Sequence, residues 1–294
     1  MNIGVVDCSV GNGHMFSFSA LFNGYRESEL DECPFPAIVS YLPKYETPVS
    51  ALSDIGNVTD IWMPDFQYAN QIARFAKIQN VHPEVISLIE RVDAIILTND
   101  DPLGRENILD LCIKSGKPVF IDKLIAKTKS EFLRVIDSQQ YNGQIFCGSG
   151  AGFSNDFADL NWNELVTSGI FSAPKNWENY GIHVVDIFLR YAKRENLDFK
   201  IGELVTEGDV TKRIMEVLGK NQQKIIITTL GKVDSDISVT ILSDNDEKSQ
   251  TMKDPFHSFS AMLEHWLTRD IQKTYQEELS RYTSALAILG FDKE

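Results

Sequence analysis

With 294 residues, the chain is long enough to form two domains, each with its own hydrophobic core. Its composition, 43% hydrophobic and 24% charged, is that of an ordinary globular protein and excludes a low-complexity or fibrous chain. A formal net charge of −14 disfavours nucleic acid and anionic membrane surfaces as partners. It leaves room for local phosphate binding by backbone amides and a few lysines.

The four cysteines occur without a CxxC pair, and Cys8 and Cys112 fall within apolar segments. This usage favours buried free thiols in a reducing compartment. No stretch has the length and apolarity of a membrane span, and Met1 leads directly into a predicted strand rather than into a signal peptide. We therefore expect a soluble, cytoplasmic protein.

A short buried strand is predicted at residues 3–6, and a glycine-bearing turn and an apolar helix follow it at once. Strand, turn and helix in this order are the context of a dinucleotide-binding loop. Gly11 and Gly13 lie in the turn. The segment predicts either a cofactor loop or a tight turn that only joins the strand to its helix. Residues 36–42 predict the second strand, after which Lys44 and Glu46 do not distinguish NAD from NADP.

Residues 93–126 predict one complete β-α-β unit. The apolar run at residues 94–97 is typical of a parallel strand that is buried on both faces. Asp101 followed by Pro102 predicts the start of the next helix, because proline is well tolerated in the first helical turn. Gly116 is placed to end that helix in a left-handed conformation.

The second strand of this unit, residues 118–121, ends directly on Asp122 and Lys123. Open α/β sheets bind their ligands at the carboxyl edge of such strands, so the unit delivers a lysine to a candidate site. A helix at residues 129–138 and a strand at 144–147 follow. The glycine-rich residues 148–152 lack the Lys-Ser/Thr pair of a P-loop and predict a hinge or a substrate-facing loop.

A second informative stretch lies at residues 177–190, which predict an amphipathic helix. Asn179, His183, Asp186 and Arg190 are spaced i, i+4, i+7 and i+11, which places all four on one polar face. A histidine flanked by an amide and a carboxylate is a candidate for a functional site. Four strands are then predicted between residues 200 and 242, as in an antiparallel sheet, followed by helices at 256–271 and 275–289. His257 and His265 lack metal-ligand spacing, and no metal site is predicted.

Two motifs resemble the glucose–fructose oxidoreductase / inositol dehydrogenase family. After Ser-Gly-Lys-Pro-Val-Phe, the chain has Asp122-Lys123-Leu124 where the family has Glu-Lys-Pro. Residues 179–186, Asn-Tyr-Gly-Ile-His-Val-Val-Asp, resemble the family's Asp-x-Gly-x-His-x-x-Asp, with Asn179 in place of the first aspartate. In register with the family, Asp7 and Ser9 occupy the first two glycine positions of the dinucleotide loop.

The resemblance implies a two-domain α/β fold. A dinucleotide-binding (Rossmann-type) parallel sheet would occupy residues 1–126, and an α+β substrate-binding and oligomerisation domain with a mostly antiparallel open sheet would occupy residues 127–294. It also implies an NAD(P)-dependent dehydrogenase or reductase acting on a secondary alcohol or ketone of a sugar, cyclitol or related polyol. Lys123 and His183 would be catalytic, and Asn179 and Asp186 would bind substrate or, for Asp186, orient His183. The cofactor, NAD or NADP, would be held by Ser9, Gly11, Asn12, Gly13, Thr98, Asn99 and Asp122.

A second function stays open beside the oxidoreductase. The substituted glycine positions, Asn179 and Leu124 favour a family member without catalysis that acts as a ligand-sensing or scaffold protein. For either function we expect a small-molecule ligand, no nucleic acid or membrane partner, and a homodimer or homotetramer, because an apolar sheet face of the second domain is unlikely to stay in water.

Overall fold

A computed structural model describes residues 1–44, 51–163, 165–219 and 223–292 of the chain. The chain forms two compact units, each discontinuous in sequence. The first unit comprises Met1–Ile125, Phe132–Cys147 and Met262–Tyr275, and the second comprises Ala126–Glu131, Gly148–Ala261 and Gln276–Glu294. Glu46 lies outside the described residues. Across the described part of the chain, no helix is long and apolar enough to cross a membrane.

The first sheet has six strands in the order β3-β2-β1-β4-β5-β6. Its strands are β1 (Asn2–Cys8), β2 (Asn57–Trp62), β3 (Asn80–Val81), β4 (Ala94–Thr98), β5 (Val119–Asp122) and β6 (Ile145–Gly148). The pairings of β1 with β2 and β4, of β2 with β3, and of β4 with β5 are parallel. The strand order reverses at β1 and β4, so the carboxyl ends of these strands form the crevice where open α/β sheets bind ligands.

Helices connect these strands: α1 (His14–Asn23), α2 (Pro36–Tyr41), α3 (Phe66–Phe75), α4 (Val85–Ile89), α5 (Glu106–Lys114) and α6 (Lys129–Asp137). Every residue of β4 is buried, as the continuous apolar run at residues 94–97 predicts for a strand inside a parallel sheet. Gly116 has φ 72° just after α5, which confirms the predicted left-handed helix end.

The predicted strand at residues 36–42 is wrong, because this segment forms α2. Pro36 stands in its first turn, where the missing N–H costs no hydrogen bond. Ile38 and Leu42 are buried, whereas Ser40, which would share their face in a strand, is exposed, so the burial follows helical rather than strand spacing. The second strand in chain order is β2, which begins at Asn57.

The predicted helix start at Asp101 is also wrong, because α5 begins at Glu106. The cause is Arg105, whose fully buried guanidinium group donates to the carbonyl oxygens of Asn99, Leu124 and Ile125. The chain makes a turn over this side chain before the helix can begin.

The second sheet has the order β12-β11-β7-β10-β9-β8. Its strands are β7 (Val166–Ala173), β8 (Phe199–Glu207), β9 (Val210–Val217), β10 (Lys224–Thr229), β11 (Ser238–Ser243) and β12 (Asp246–Thr251). Only the pairing of β7 with β10 is parallel among the pairs between these described strands, so the sheet is mostly antiparallel, as predicted. Strands β7 and β12 were not predicted from the sequence.

The described residues after β6 also form the helices α7 (Trp177–Arg194), α8 (Pro255–Thr268) and α9 (Ile271–Leu289). The side chain of Asn176 caps α7 by accepting a hydrogen bond from the backbone N–H of Asn179. Its apolar face, which includes Val184, Val185 and Phe188, is buried where the helix packs against β7 and β10. The opposite, polar face carries the residues that the sequence singles out as functional.

Candidate functional site

The carboxyl edge of the first sheet gathers the predicted cofactor-binding side chains. Thr98 ends β4 and Asn99 follows it, Asp122 ends β5, and Ser9 and Asn12 lie in the turn after β1. Asn12 bonds to two of these residues. The Asn12 side-chain amide donates to the Thr98 carbonyl oxygen at 2.8 Å and to Asp122 Oδ2 at 2.9 Å. The fold thus brings the predicted set together, as the ends of adjacent parallel strands require.

Asp122 is the centre of this network. Its carboxylate is fully buried, and Oδ2 lies 2.7 Å from His14 Nδ1 and 4.0 Å from Lys123 Nζ. Burial alone would raise the pKa of Asp122, but the charges of His14 and Lys123 and the hydrogen bonds from His14 and Asn12 hold it well below its usual range. Asp122 is therefore an ionised carboxylate that organises the first turn of α1.

We expect Asp122→Asn to lower the free energy of unfolding at pH 7 by about 3 kcal/mol, because it leaves a buried ion pair with one partner. Because the pKa of Asp122 is lower in the folded than in the unfolded state, its ionised carboxylate stabilises the fold at pH values above the unfolded-state pKa of about 3.9. This stabilisation is lost as the pH falls below that value towards the folded-state pKa. The acid limb of the stability curve should therefore be shallower in the variant. Urea unfolding between pH 3 and about pH 7 measures both effects. Asp110→Asn, which removes a surface partner of Arg134, should cost below about 1 kcal/mol; equal losses in both variants would contradict the assignment.

Lys123 follows β5 in a left-handed backbone conformation, with φ 66°. Its ammonium group forms an ion pair with Asp100, whose other carboxylate oxygen accepts from the Ser9 hydroxyl. Burial would raise the pKa of Asp100, but the Lys123 charge and these hydrogen bonds lower it. The side chain of Lys123 is 15% exposed, so the charge is held in place at the sheet edge rather than extended into solvent.

In the register that the sequence resemblance implies, Asp7 would stand at the first glycine position of the loop, and it has a glycine-like backbone, with φ 48°. Its carboxylate accepts from the Asn99 amide at 2.7 Å, and its carbonyl oxygen accepts from the Thr98 hydroxyl at 2.5 Å. Burial raises the pKa of Asp7 more than the Asn99 hydrogen bond lowers it. A carboxylate thus lies where the family has no side chain.

The glycines of the loop differ in the space around them. At Gly11, which has φ 82°, a side chain would meet no atom within 4 Å, so this part of the loop is open. At Gly13, a Cβ atom would lie 2.8 Å from Ile38 and 2.9 Å from Phe35. An open glycine just before the amino end of α1 fits a phosphate group, because backbone N–H groups and the helix dipole favour an anion there. The residues present therefore fit a dinucleotide at Gly11, while α2 packs closely at Gly13.

His183 lies on the polar face of α7. Its Nδ1 is 2.6 Å from the Ser149 hydroxyl, and the Tyr180 ring meets the imidazole edge-on with centroids 5.0 Å apart. Ser149 lies in the glycine-rich residues 148–152, between the end of β6 and the short 3₁₀ turn Gly150–Phe153, which it caps. The turn thus fixes the orientation of the histidine.

Asp186 lies one turn further along α7 and is fully buried. One carboxylate oxygen accepts from the Ser149 backbone N–H at 2.8 Å, and the other pairs with Arg281, which also donates to Glu278 at 2.7 Å. Asp186 therefore reaches His183 through Ser149. Of its two predicted roles, this geometry favours orienting the histidine.

Asn179 is exposed at the start of α7, and its backbone N–H is bonded to the cap residue Asn176. The structure thus gathers Asn179, His183 and Asp186 on one helix of the second unit, and Lys123 with the predicted cofactor residues at one sheet edge of the first. Within the residues that the structure describes, no cluster of three or more His, Cys, Asp or Glu side chains could hold a metal ion.

The sequence interpretation missed His14, Asp100, Ser149 and Arg281 as partners of the candidate site residues. Asp100 and Ser149 carry a usable signal, because they lie two residues after β4 and one residue after β6, near the ends of strands of the first sheet. Arg281 lies 95 residues from Asp186 in sequence, and no local pattern connects the two.

No protein-family model matches the chain. A curated relative, inositol 2-dehydrogenase 2 of Saccharopolyspora erythraea, is 26% identical over 172 residues. The match covers 58% of this chain and 41% of the relative, so less than half of that protein's length is represented.

Solved structures resemble the chain over nearly its whole length. A dehydrogenase (MviM) from Clostridium difficile has a TM-score of 0.66 at 12% identity, with 99% of this chain and 97% of that chain covered. The myo-inositol dehydrogenase from Lactobacillus casei, determined in complex with NAD(H) and myo-inositol, has a TM-score of 0.63 at 12% identity, with 100% and 95% covered. These comparisons confirm the predicted fold class and the resemblance to the inositol dehydrogenases.

Proposed function

We propose, from the fold that this chain shares with the glucose–fructose oxidoreductase / inositol dehydrogenase family, that it is an NAD(P)-dependent oxidoreductase. Its substrate would be a secondary alcohol or ketone of a sugar, cyclitol or related polyol. The observation that carries the proposal is Lys123, held at the carboxyl edge of a parallel dinucleotide-type sheet by its ion pair with Asp100. A ligand in the crevice of such a sheet lies next to this edge.

The residues that would hold NAD or NADP surround the open loop after β1. Gly11 and the amino end of α1 would accept the phosphates, and Ser9, Asn12, Gly13, Thr98, Asn99 and Asp122 would line the same edge. When bound, the nicotinamide supplies the hydride acceptor or donor. The network centred on Asp122 would keep these side chains in place before the cofactor arrives.

The proton of the substrate hydroxyl would be handled by Lys123 and His183. Histidine exchanges protons near neutral pH, and the Ser149 contact at Nδ1 fixes the ring for this role. Lys123 would polarise the substrate oxygen or relay the proton. Asn179 would bind a substrate hydroxyl, and Asp186 would act through Ser149 as a positioning residue.

A second candidate function is ligand sensing or scaffolding without catalysis. Two observations favour it: the buried carboxylate of Asp7 at a glycine position, and the close packing of Phe35 and Ile38 at Gly13. Both would weaken dinucleotide binding. The same protein fold would then respond to a polyol without turning it over.

A panel of cyclitols, hexoses and sugar acids with NAD⁺ or NADP⁺ separates the two candidates. Nicotinamide reduction followed by absorbance is the result that supports an oxidoreductase. Thermal stabilisation by a polyol without any reduction of either nucleotide would favour the sensing role, since a ligand that binds the folded state raises its melting temperature.

We further propose a homodimer or homotetramer built on the outer face of the second sheet. Ile214, Ile226 and Ile170 are side by side on β9, β10 and β7, and each is partly exposed. Ile225 and Ile227 point to the opposite face and are fully buried. A contiguous apolar row on an open sheet is typical of an interface.

Light scattering tests this assembly. We expect wild-type protein to have at least twice the chain mass of 33.2 kDa at micromolar concentration. Ile226→Glu should shift the mass towards the monomer, because it places a charge in an apolar interface, whereas Val233→Glu, at an exposed loop position, should not. A monomeric wild-type protein would contradict the proposal.

A further inference from the structure

A cavity of about 560 Å³ lies at the carboxyl end of α7. Residues from α7, from the start of β8 and from α9 line it, and none of the candidate catalytic or cofactor-binding residues is among them. Leu189, Leu197 and Phe199 supply apolar walls, and Ser280 and Ser284 supply hydroxyl groups. Its volume is within the range of about 300–1,000 Å³ that is common for small-molecule sites.

The lining of this cavity is basic, although the chain as a whole carries a net charge of −14. Four cations line it and one acid does: Arg190, Lys193, Arg194 and Arg281, against Glu277.

Three of these cations already have acidic partners. Lys193 pairs with Glu277, Arg194 with Glu195, and Arg281 with Asp186 and Glu278. Their charges are therefore largely balanced by carboxylates of the same unit.

Arg190 is different. Its Nε and Nη2 atoms are buried, and neither has a hydrogen-bond partner among the described residues. The guanidinium carbon lies 3.7 Å from the centre of the Phe153 ring, so an aromatic face contacts the group without accepting its N–H bonds. A buried donor without an acceptor costs about 1–3 kcal/mol, and more when it is charged.

The charges around Arg190 also leave its buried positive charge poorly compensated. Burial, and then the neighbouring positive charge of Arg281, lower the pKa of Arg190, while Asp186 and Glu278 act in the opposite direction without bonding to it. An anion in the cavity would offset both unfavourable effects. A planar guanidinium group matches the oxygens of carboxylate and phosphate groups in pairs.

We propose that this cavity is a second ligand site, which binds a small metabolite through a carboxylate or phosphate group held by Arg190. Ser280 and Ser284 would donate hydrogen bonds to the same ligand, and the apolar walls would pack against its carbon skeleton. The site does not depend on the proposed oxidoreductase activity, because its lining is separate from Lys123 and His183.

Calorimetric titration of the full chain with inorganic phosphate and with citrate tests this site, with sodium chloride at matched ionic strength as the screening control. We expect saturable binding of at least one of the two anions and none of chloride. Arg190→Gln should weaken that binding by about tenfold or more, the loss expected for one charge-assisted hydrogen bond. Lys232→Gln, which alters a largely exposed lysine outside the cavity, should bind as the wild type does.

Two results would overturn the proposal: no saturable binding of either anion by the wild type, or equal affinity in Arg190→Gln. If Arg190→Gln does not fold, Ser280→Leu decides, because it changes an exposed position and narrows the cavity. Weaker anion binding in this variant supports the site, and unchanged binding overturns it.

Discussion

We expect Lys123→Ala and His183→Ala each to lower turnover by about 10²–10⁴-fold on any substrate that the wild type oxidises, the range typical of lost acid–base catalysis. The chain has asparagine at position 179, where the family has an aspartate, and an amide cannot accept the proton. Asp186 is buried and bonded to Ser149 and Arg281, so it cannot take over this role. Steady-state kinetics over a range of pH measure the loss.

Matched controls separate chemistry from folding. Lys212→Ala removes an ion-paired lysine of β9, and His257→Ala removes a hydrogen-bonded histidine of α8; both should keep wild-type turnover. Lys123→Ala also leaves Asp100 without its cation, so its melting temperature is measured alongside. Turnover that survives both alanine substitutions would show that Lys123 and His183 are structural residues.

We expect Asp7→Gly to tighten the binding of nicotinamide nucleotides by roughly tenfold or more, because it removes a like charge from the loop that would receive the phosphates. The substitution also places glycine at a position with φ 48°, where a side chain is strained. Relief of this backbone strain should stabilise the fold, but loss of the hydrogen bond from Asn99 offsets part of that stabilisation. Fluorescence titration of NADH and NADPH compares the dissociation constants of the two proteins.

The affinity for the nucleotide should also change with pH in a definite direction. Burial raises the pKa of Asp7, and a bound anion would raise it further, so nucleotide binding would be coupled to proton uptake. Wild-type affinity should therefore fall as the pH rises through this pKa, and Asp7→Gly should lose that dependence. Asp7→Asn removes the charge but keeps the side chain, and it should share the loss. Identical affinities and pH profiles in all three proteins would mean that Asp7 lies away from the bound phosphates.

Strands with continuous apolar runs could be predicted from the sequence. Prediction failed for elements whose formation depends on contacts between residues that are distant in sequence or on an exposed edge position. Strand β2 was missed because Asp60 interrupts its apolar pattern; this carboxylate is buried against His82, which lies 2.6 Å away and twenty-two residues later. Strand β12 is a charged, exposed strand at the edge of its sheet, where no apolar pattern is needed. The helix α2 was taken for a strand because its β-branched residues hide the helical spacing of Ile38 and Leu42.

The residues of the candidate site likewise fall into those that the sequence could identify and those that it could not. Lys123 and His183 could be selected from the sequence, because one ends a buried strand and the other lies on the polar face of an amphipathic helix. Their partners depend on tertiary contacts: Asp100 comes from the segment after the neighbouring strand β4, and Ser149 comes from a turn packed against α7. The pairing of Asp186 with Arg281 closes a contact across 95 residues, which no periodicity predicts.

Binding of a nicotinamide nucleotide to the first unit is the central claim, and fluorescence titration of purified wild-type protein with NADH and NADPH tests it most directly. We expect saturable enhancement of the nicotinamide emission by at least one of the two, and a melting temperature that rises with the concentration of that nucleotide. The affinity for that nucleotide should be lower in Gly11→Val, a variant whose side chain fills the open loop. Neither a fluorescence change nor a thermal shift with NAD⁺, NADH, NADP⁺ or NADPH at millimolar concentration would contradict the account.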